Sequence, residues 1–166
     1  MTDQLTRPDP APAGSFEIDP DDVDIDRPTR DVSVKWVMVI DRNLEPGLVA
    51  NTAGCLAAAV GREAPLLIGP GGADASGSVH RGLPWTGCTV LGGDAEAVRR
   101  IRDKAAGKAG LLLVDMPSLA QVCRVYGGYL DTLADTGPDD IGYHGVALVG
   151  PRNKVDKIVG RLPLLR

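Results

Sequence analysis

V-S-V-K-W-V-M-V-I-D-R-N-L-E-P-G-L-V-A-N-T-A-G-C-L-A-A-A-V, residues 32–60, decides the fold class. Its first ten residues, Val32 to Asp41, are rich in β-branched and apolar side chains, and the later part is almost continuously apolar. That pattern suits a central strand covered on both faces. Arg42 to Gly47 read as a loop. From Leu48 to Val60, Val49, Ala53, Leu56 and Val60 recur at helical spacing, with Pro46 suited to the opening turn and Gly61 to the exit. Ala50, Gly54, Ala57 and Ala58 are small, so this helix is able to lie close against a sheet.

The same alternation continues down the chain. Pro65 to Ile68 is a short strand-like run, and D-A-S-G (74–77) reads as a turn, with a small hairpin around it. Cys88 to Leu91 is a short strand, and Asp94 caps a helix from about Ala95 to Ala106. Leu111 to Val114 reads as a buried strand ending in Asp115. Ser118 caps a helix through Arg124, and Tyr126 to Leu133 is another helical piece. Gly145 to Val149 is the last strand and Arg152 to Val159 the last helix. Strands alternating with helices predict an α/β fold, a three-layer α/β/α sandwich on a mixed sheet of about four strands.

At 166 residues the chain has room for one hydrophobic core. Only 4% of residues are aromatic, so that core is built from Val, Leu, Ile and Ala. The formal charge of −4 is unevenly spread. Residues 1–31 carry nine acids, three arginines and five prolines, and read as a disordered acidic tail. Residues 32–166, the single domain, carry 13 acids and 15 bases, so a low overall pI does not exclude an anionic ligand. Asp19 to Asp26 folding back over a basic site is a sharper use of the tail; plain solvation is the alternative.

Three widely spaced cysteines and two histidines form no metal-ligand spacing, and no cofactor motif is present. Absence of a leader pattern or long apolar run makes a cytoplasmic location the expectation, with no membrane partner. G-P-G-G (69–72) is neither a P-loop nor a dinucleotide fingerprint. Ser76, Ser78, His80 and His144 lack a G-x-S-x-G elbow. Arg99, Arg100, Arg102, Lys104 and Lys108 form one basic cluster, and Arg152, Lys154, Lys157 and Arg161 another. Phosphate contacts and ordinary exposed cations are both open readings of these two clusters.

The strand–loop–helix unit carries the best site candidates. Ligands in open α/β sheets lie outside the carboxyl ends of strands. Asp41, Asn43, Asn51 and Thr52 are therefore candidates to share one crevice; shaping the loop and back-bonding within the helix are their structural alternatives.

K-W-V-M-V-I-D-R-N-L-E-P-G-L-V-A-N-T-A-G-C-L-A (35–57) resembles the opening motif of the peptidyl-tRNA hydrolase II group. G-V-A-L-V-G-P-R-N-K-V-D-K-I-V-G-R-L-P-L-L (145–165) resembles that group's closing strand, Gly-Pro turn, helix and Gly-x-Leu-x-Leu end. D-R-N-L-x-P-G-L-x-A-N-T-A and G-P-x-x-x-V-D are more closely similar to the bacterial family called domain of unknown function 2000, which shares that fold, from about Lys35 to Arg166. The resemblance implies the fold and, at most, a divergent activity. The hydrolase lysine falls on Leu48, its glutamine on Thr52 and its histidine on Cys55. Its Asp-Ala-Gly-x-Thr segment has no clean counterpart, Asp131, Asp135 and Thr136 standing in a different context.

Two functions follow. One is a hydrolase or transferase acting on an acyl or aminoacyl ester or amide, with a small acyl compound or tRNA as partner. There Asp41 is the general base and His144 the candidate acid, while Asn43, Asn51 and Thr52 bind substrate. The other is a non-catalytic module binding a small ligand or a partner in the same crevice. A homodimer through the small-residue helix or the C-terminal Leu-Pro-Leu-Leu is a further expectation.

Overall fold

β1, Val34–Asp41, is buried on both faces. Trp36, Met38 and Ile40 point into one core cluster, and Val37 and Val39 into a second on the opposite side. This is the two-sided burial that its near-continuous apolar sequence demands. The computed structural model describes residues 16–166. The order of its main sheet is β4–β1–β6–β5, where β4 is Thr89–Gly93, β5 is Leu112–Pro117 and β6 is Tyr143–Pro151. β4 runs parallel to β1, whereas β6 is antiparallel to both β1 and β5. β2, Gly72–Ala73, and β3, Val79–His80, form the small hairpin expected around residues 74–77.

α1, Pro46–Glu63, packs on the Trp36 side, burying Thr52, Leu56 and Val60. α2, Ala95–Ala105, and α5, Arg152–Val159, cover the other side with Val98, Ile101, Val155 and Ile158. Two further helices, α3 (Leu119–Val122) and α4 (Tyr126–Asp135), lie between β5 and β6 in the chain and bury no residue fully. The architecture is thus a mixed α/β fold with a four-stranded sheet between helical layers. No described helix is long and apolar enough to cross a membrane.

Several boundaries differ from those the sequence suggests. α1 does not stop at Gly61; it runs to Glu63 because Pro65 disfavours helical backbone only at the residue before it, Ala64. Pro65–Leu67 is a 3-10 turn rather than a strand, and it drops Leu67 into the core. Ser118 makes no capping hydrogen bond; its N–H donates to Gly142 O and the helix after it ends at Val122. β6 begins at Tyr143, two residues earlier than expected, so His144 lies within it.

Of the acidic segment, residues 1–15 lie outside the described part. From Phe16 onward the chain lies against the α1 side, with Ile18 buried and Phe16 and Val23 packed beside it. Arg152 ties it down, donating from Nε to Val32 O at 2.9 Å and from Nη2 to Thr29 O at 2.6 Å. Asp19 to Asp26 therefore sit on the α1 face, where Asp22 accepts from Ser33 Oγ and Asp24 pairs with Arg27.

The β4 edge is closed by the last residues of the chain. Gly92 N donates to Pro163 O at 2.9 Å and Leu165 N donates to Val90 O at 3.0 Å. An uncovered edge is a template for pairing with another chain. Deletion of residues 163–166 is expected to leave the monomer folded but to promote concentration-dependent self-association, read by light scattering; unchanged scattering would show the tail is dispensable as an edge cover.

Candidate functional site

The carboxyl ends of β1, β4 and β5 and the start of β6 meet at one end of the sheet, where the loop 42–45 and the start of α1 also lie. Asp41 is buried, and its Oδ1 accepts from Asn43 N at 3.0 Å. That bond is an Asx turn, which shapes the loop leading into α1. Asn43 and Asn51 are exposed. Thr52, one position further round α1, is fully buried, with its methyl set where a side chain on Gly145 would have to go: a Cβ there would stand 2.9 Å from Thr52 Cγ2.

His144 occupies an irregularity in the pairing of β5 with β6, since Met116 pairs with Gly145 and Pro117 with Tyr143. Such bulges redirect side chains. Because Ile40 pairs with Gly145, the next residues on each strand, Asp41 and His144, are backbone neighbours, and Thr52 borders the same pair. Their side chains do not join, however. Asp41 has the parity of Val37 and Val39, toward α2, whereas Thr52 enters from α1 on the other side. Thr52 Oγ1 and His144 Nδ1 each make no hydrogen bond and expose less than 1 Å². Thr52 thus does not back-bond to its helix. It costs about 1–3 kcal/mol to bury a hydroxyl without a partner.

A polar cluster that the sequence alone did not reveal lies beside β5. Arg102 Nε bonds Asp115 Oδ2 at 3.0 Å, and its guanidinium lies 5.3 Å from the Tyr143 ring centre, with that of Arg99 at 5.5 Å. Arg99 also donates to the carbonyls of Pro138, Asp139 and Ile141. Burial alone would lower the Arg102 guanidinium, but Asp115, Tyr143 and Asp103 together outweigh that and raise it. Burial pushes both Tyr129 and Tyr143 up. The Arg102–Asp115 pair and the bonds of Arg99 to the turn carbonyls clamp α2 and the 138–141 turn onto the sheet.

The cluster of serines and histidines is also resolved. Ser76 Oγ donates to Asp74 Oδ1 at 2.6 Å, and His80 Nε2 lies 3.4 Å from Asp74 Oδ2. A catalytic triad needs the histidine between serine and acid. Here the acid is in the middle. Asp74 is a turn former, held at about 2 by the Ser76 hydroxyl and then by the amides of Ser76 and Ser78 and by His80. His144 lies in the main sheet, away from this hairpin.

Of the first basic cluster, Arg99 and Arg102 turn inward, while Lys104 and Lys108 turn to a cavity at the far end of the sheet. That cavity, about 550 Å³, opens between the end of α2 and α5 and is lined by Lys104, Lys108, Ala109, Lys154, Lys157 and Ile158. No group of three or more possible metal ligands exists among the described residues.

Residues 34–166 match the model of the family described as a protein of unknown function, DUF2000. The chain belongs to that family. A solved structure of a protein of unknown function, Atu0240, from Agrobacterium tumefaciens strain C58 is similar to this DUF2000 chain with a TM-score of 0.73 at 20% identity. The similarity covers 80% of this chain and 97% of that one, and it speaks for the fold alone. No curated protein matches.

Thr52→Val keeps the side chain's shape and removes its unpaired hydroxyl, so it is expected to stabilise the DUF2000 domain by about 1–2 kcal/mol in urea unfolding. Loss of stability instead would mean the hydroxyl has a partner in solution. Asp74, with its folded pKa below the ordinary 3.8, stabilises the hairpin above about pH 4 and releases it as pH falls toward 2. The amide resonances of Ser76 and Ser78 are expected to shift over that window, and Asp74→Asn to abolish the transition.

Proposed function

We propose that this DUF2000 chain is a non-catalytic binding module and not an ester hydrolase of the peptidyl-tRNA hydrolase II type. One observation carries the reading: Asp41 and Thr52 are both buried and lie on opposite faces of the sheet. Thr52 Oγ1 and His144 Nδ1 each expose less than 1 Å², though the His144 ring as a whole is only half-buried. Asp41 Oδ1 is engaged by the Asn43 amide. A general base has to come within hydrogen-bond reach of the proton it takes, and a transition state needs a donor or cation aimed at its developing charge. Leu48, half-buried in the first turn of α1, supplies no such cation.

What remains open at the strand ends is the surface of Arg42, Asn43, Glu45 and Asn51, which supports recognition of a polar ligand. Common ancestry with a hydrolase group would not change this, because function resides in the site and not in the fold.

The test is incubation of the full chain with N-acyl-aminoacyl-tRNA. Release of the aminoacyl product is expected to stay at the uncatalysed rate, and Asp41→Ala to alter unfolding but not that rate. Turnover by the native chain that disappears in a folded Asp41→Ala variant would overturn the proposal.

A further inference from the structure

We infer that the cavity between α2 and α5 is a binding site for a small organic polyphosphate of the nucleoside di- or triphosphate type. This extends the binding role proposed above to a site apart from the surface of Asn43 and Asn51, and gives it a ligand class. It stands at the amino ends of β1 and β5, the opposite end of the sheet from Asp41 and His144.

Four lysines line this one cavity, two from each side. Lys104 lies in the last turn of α2 and Lys108 in the turn after it, while Lys154 and Lys157 project from α5. Lys154 Nζ donates to Ala109 O at 3.2 Å, across the cleft. Among the described residues, none of the four has a carboxylate within ion-pair distance. The acids next to them in the chain are engaged elsewhere: Asp103 with Arg102 at 3.5 Å, and Asp156 with Lys35. The cleft therefore keeps a concentrated positive charge.

The usual explanation for surface cations fails for one of these residues. Lys104 and Lys157 lie in the last turns of α2 and α5, where the helix dipole favours positive charge. Lys154 lies in the first turn of α5, where the dipole disfavours it, and that turn contains no acid and no side-chain cap. At physiological salt, screening acts over about 8 Å, a distance comparable with the width of such a cavity, so the four ammonium groups repel one another. An anion carrying several charges would relieve that repulsion.

The ligand class follows from size, charge and floor. About 550 Å³ falls within the range of small-molecule sites, on the order of 300–1,000 Å³. Four separately jointed ammonium groups suit oxygens scattered along a chain of phosphates; a lone planar carboxylate is better met by an arginine fork. Ile158 and Ala109 offer an apolar surface for the organic part. No aromatic side chain lines the cavity, so it lacks the stacking platform of a single-stranded nucleic acid site.

The experiment is calorimetric titration of the full chain with AMP, ADP, ATP, citrate and tRNA in magnesium-free buffer at two salt concentrations. Affinity is expected to rise from AMP to ATP and to fall with salt. The double variant Lys104→Ala, Lys157→Ala should weaken ATP by at least about tenfold. The double variant Arg81→Ala, Arg124→Ala, which removes the same charge from exposed positions elsewhere, should leave ATP affinity unchanged. Circular dichroism confirms that each variant is folded. Equal binding of the three nucleotides, citrate binding as tightly as ATP, or equal losses in the two double variants would each overturn the assignment. So would tRNA binding more tightly than ATP through the same lysines, which would mark a nucleic-acid surface. Because the proposed lack of ester hydrolysis is read by turnover and this site by titration, either fails without the other.

Discussion

The antiparallel pairing of β1 with β6, from Val34 opposite Pro151 to Ile40 opposite Gly145, is the constraint on which the rest of the structure depends. Both strands are buried on both faces, so every backbone polar group along them has to be met within the sheet, and their side chains have to fill two cores at once. A slip of one residue would exchange the two faces and put Trp36 and Met38 where Val37 and Val39 belong. The small residues of β6 follow from that crowding. A Cβ on Gly145 would meet Thr52, and one on Gly150 would come within 2.9 Å of Gly110 O.

The same pairing sets the character of both ends of the sheet. At the carboxyl ends, it brings Asp41, Thr52 and His144 to a common border, where close packing of α1 against Gly145 seals the Thr52 hydroxyl and leaves His144 half-buried. The Asp41 carboxylate turns back to its own loop. At the opposite end, the reversal of β6 into α5 sets the first turns of that helix beside the end of α2. Two lysine pairs separated by some fifty residues of sequence thereby come to face one cavity. One end is polar, with its hydroxyl and carboxylate packed away; the other is open and charged.

The arginine clamp explains how one basic cluster came to serve two purposes. On α2, Arg99 and Arg102 lie three residues apart and share the face that meets Tyr143, while Lys104 lies at the helix end, beyond the reach of Asp115. Arg102 is paired with Asp115 and Asp103 and Arg99 is held by backbone carbonyls, so the clamp contributes rigidity. The lysines beyond it are left without carboxylates, and the charge asymmetry of the domain is concentrated there.

The sequence by itself determined the layered α/β class, the number of main strands, the small hairpin and the family, because strand and helix periodicity and local motifs are properties of neighbouring residues. It placed the end of α1 three residues early, at Val60, and took the Pro65 segment for a strand, because turn and proline geometry outweighed the apolar run. It also marked Asp41, Asn43, Asn51, Thr52 and His144 as candidates. Only the tertiary structure decided that Asn51 faces outward while Thr52 is sealed, that the Ser76 and His80 side chains converge on a turn aspartate, and that the two basic clusters meet. Such outcomes depend on which distant elements pack together, and packing is a relation between residues that no single window of sequence contains.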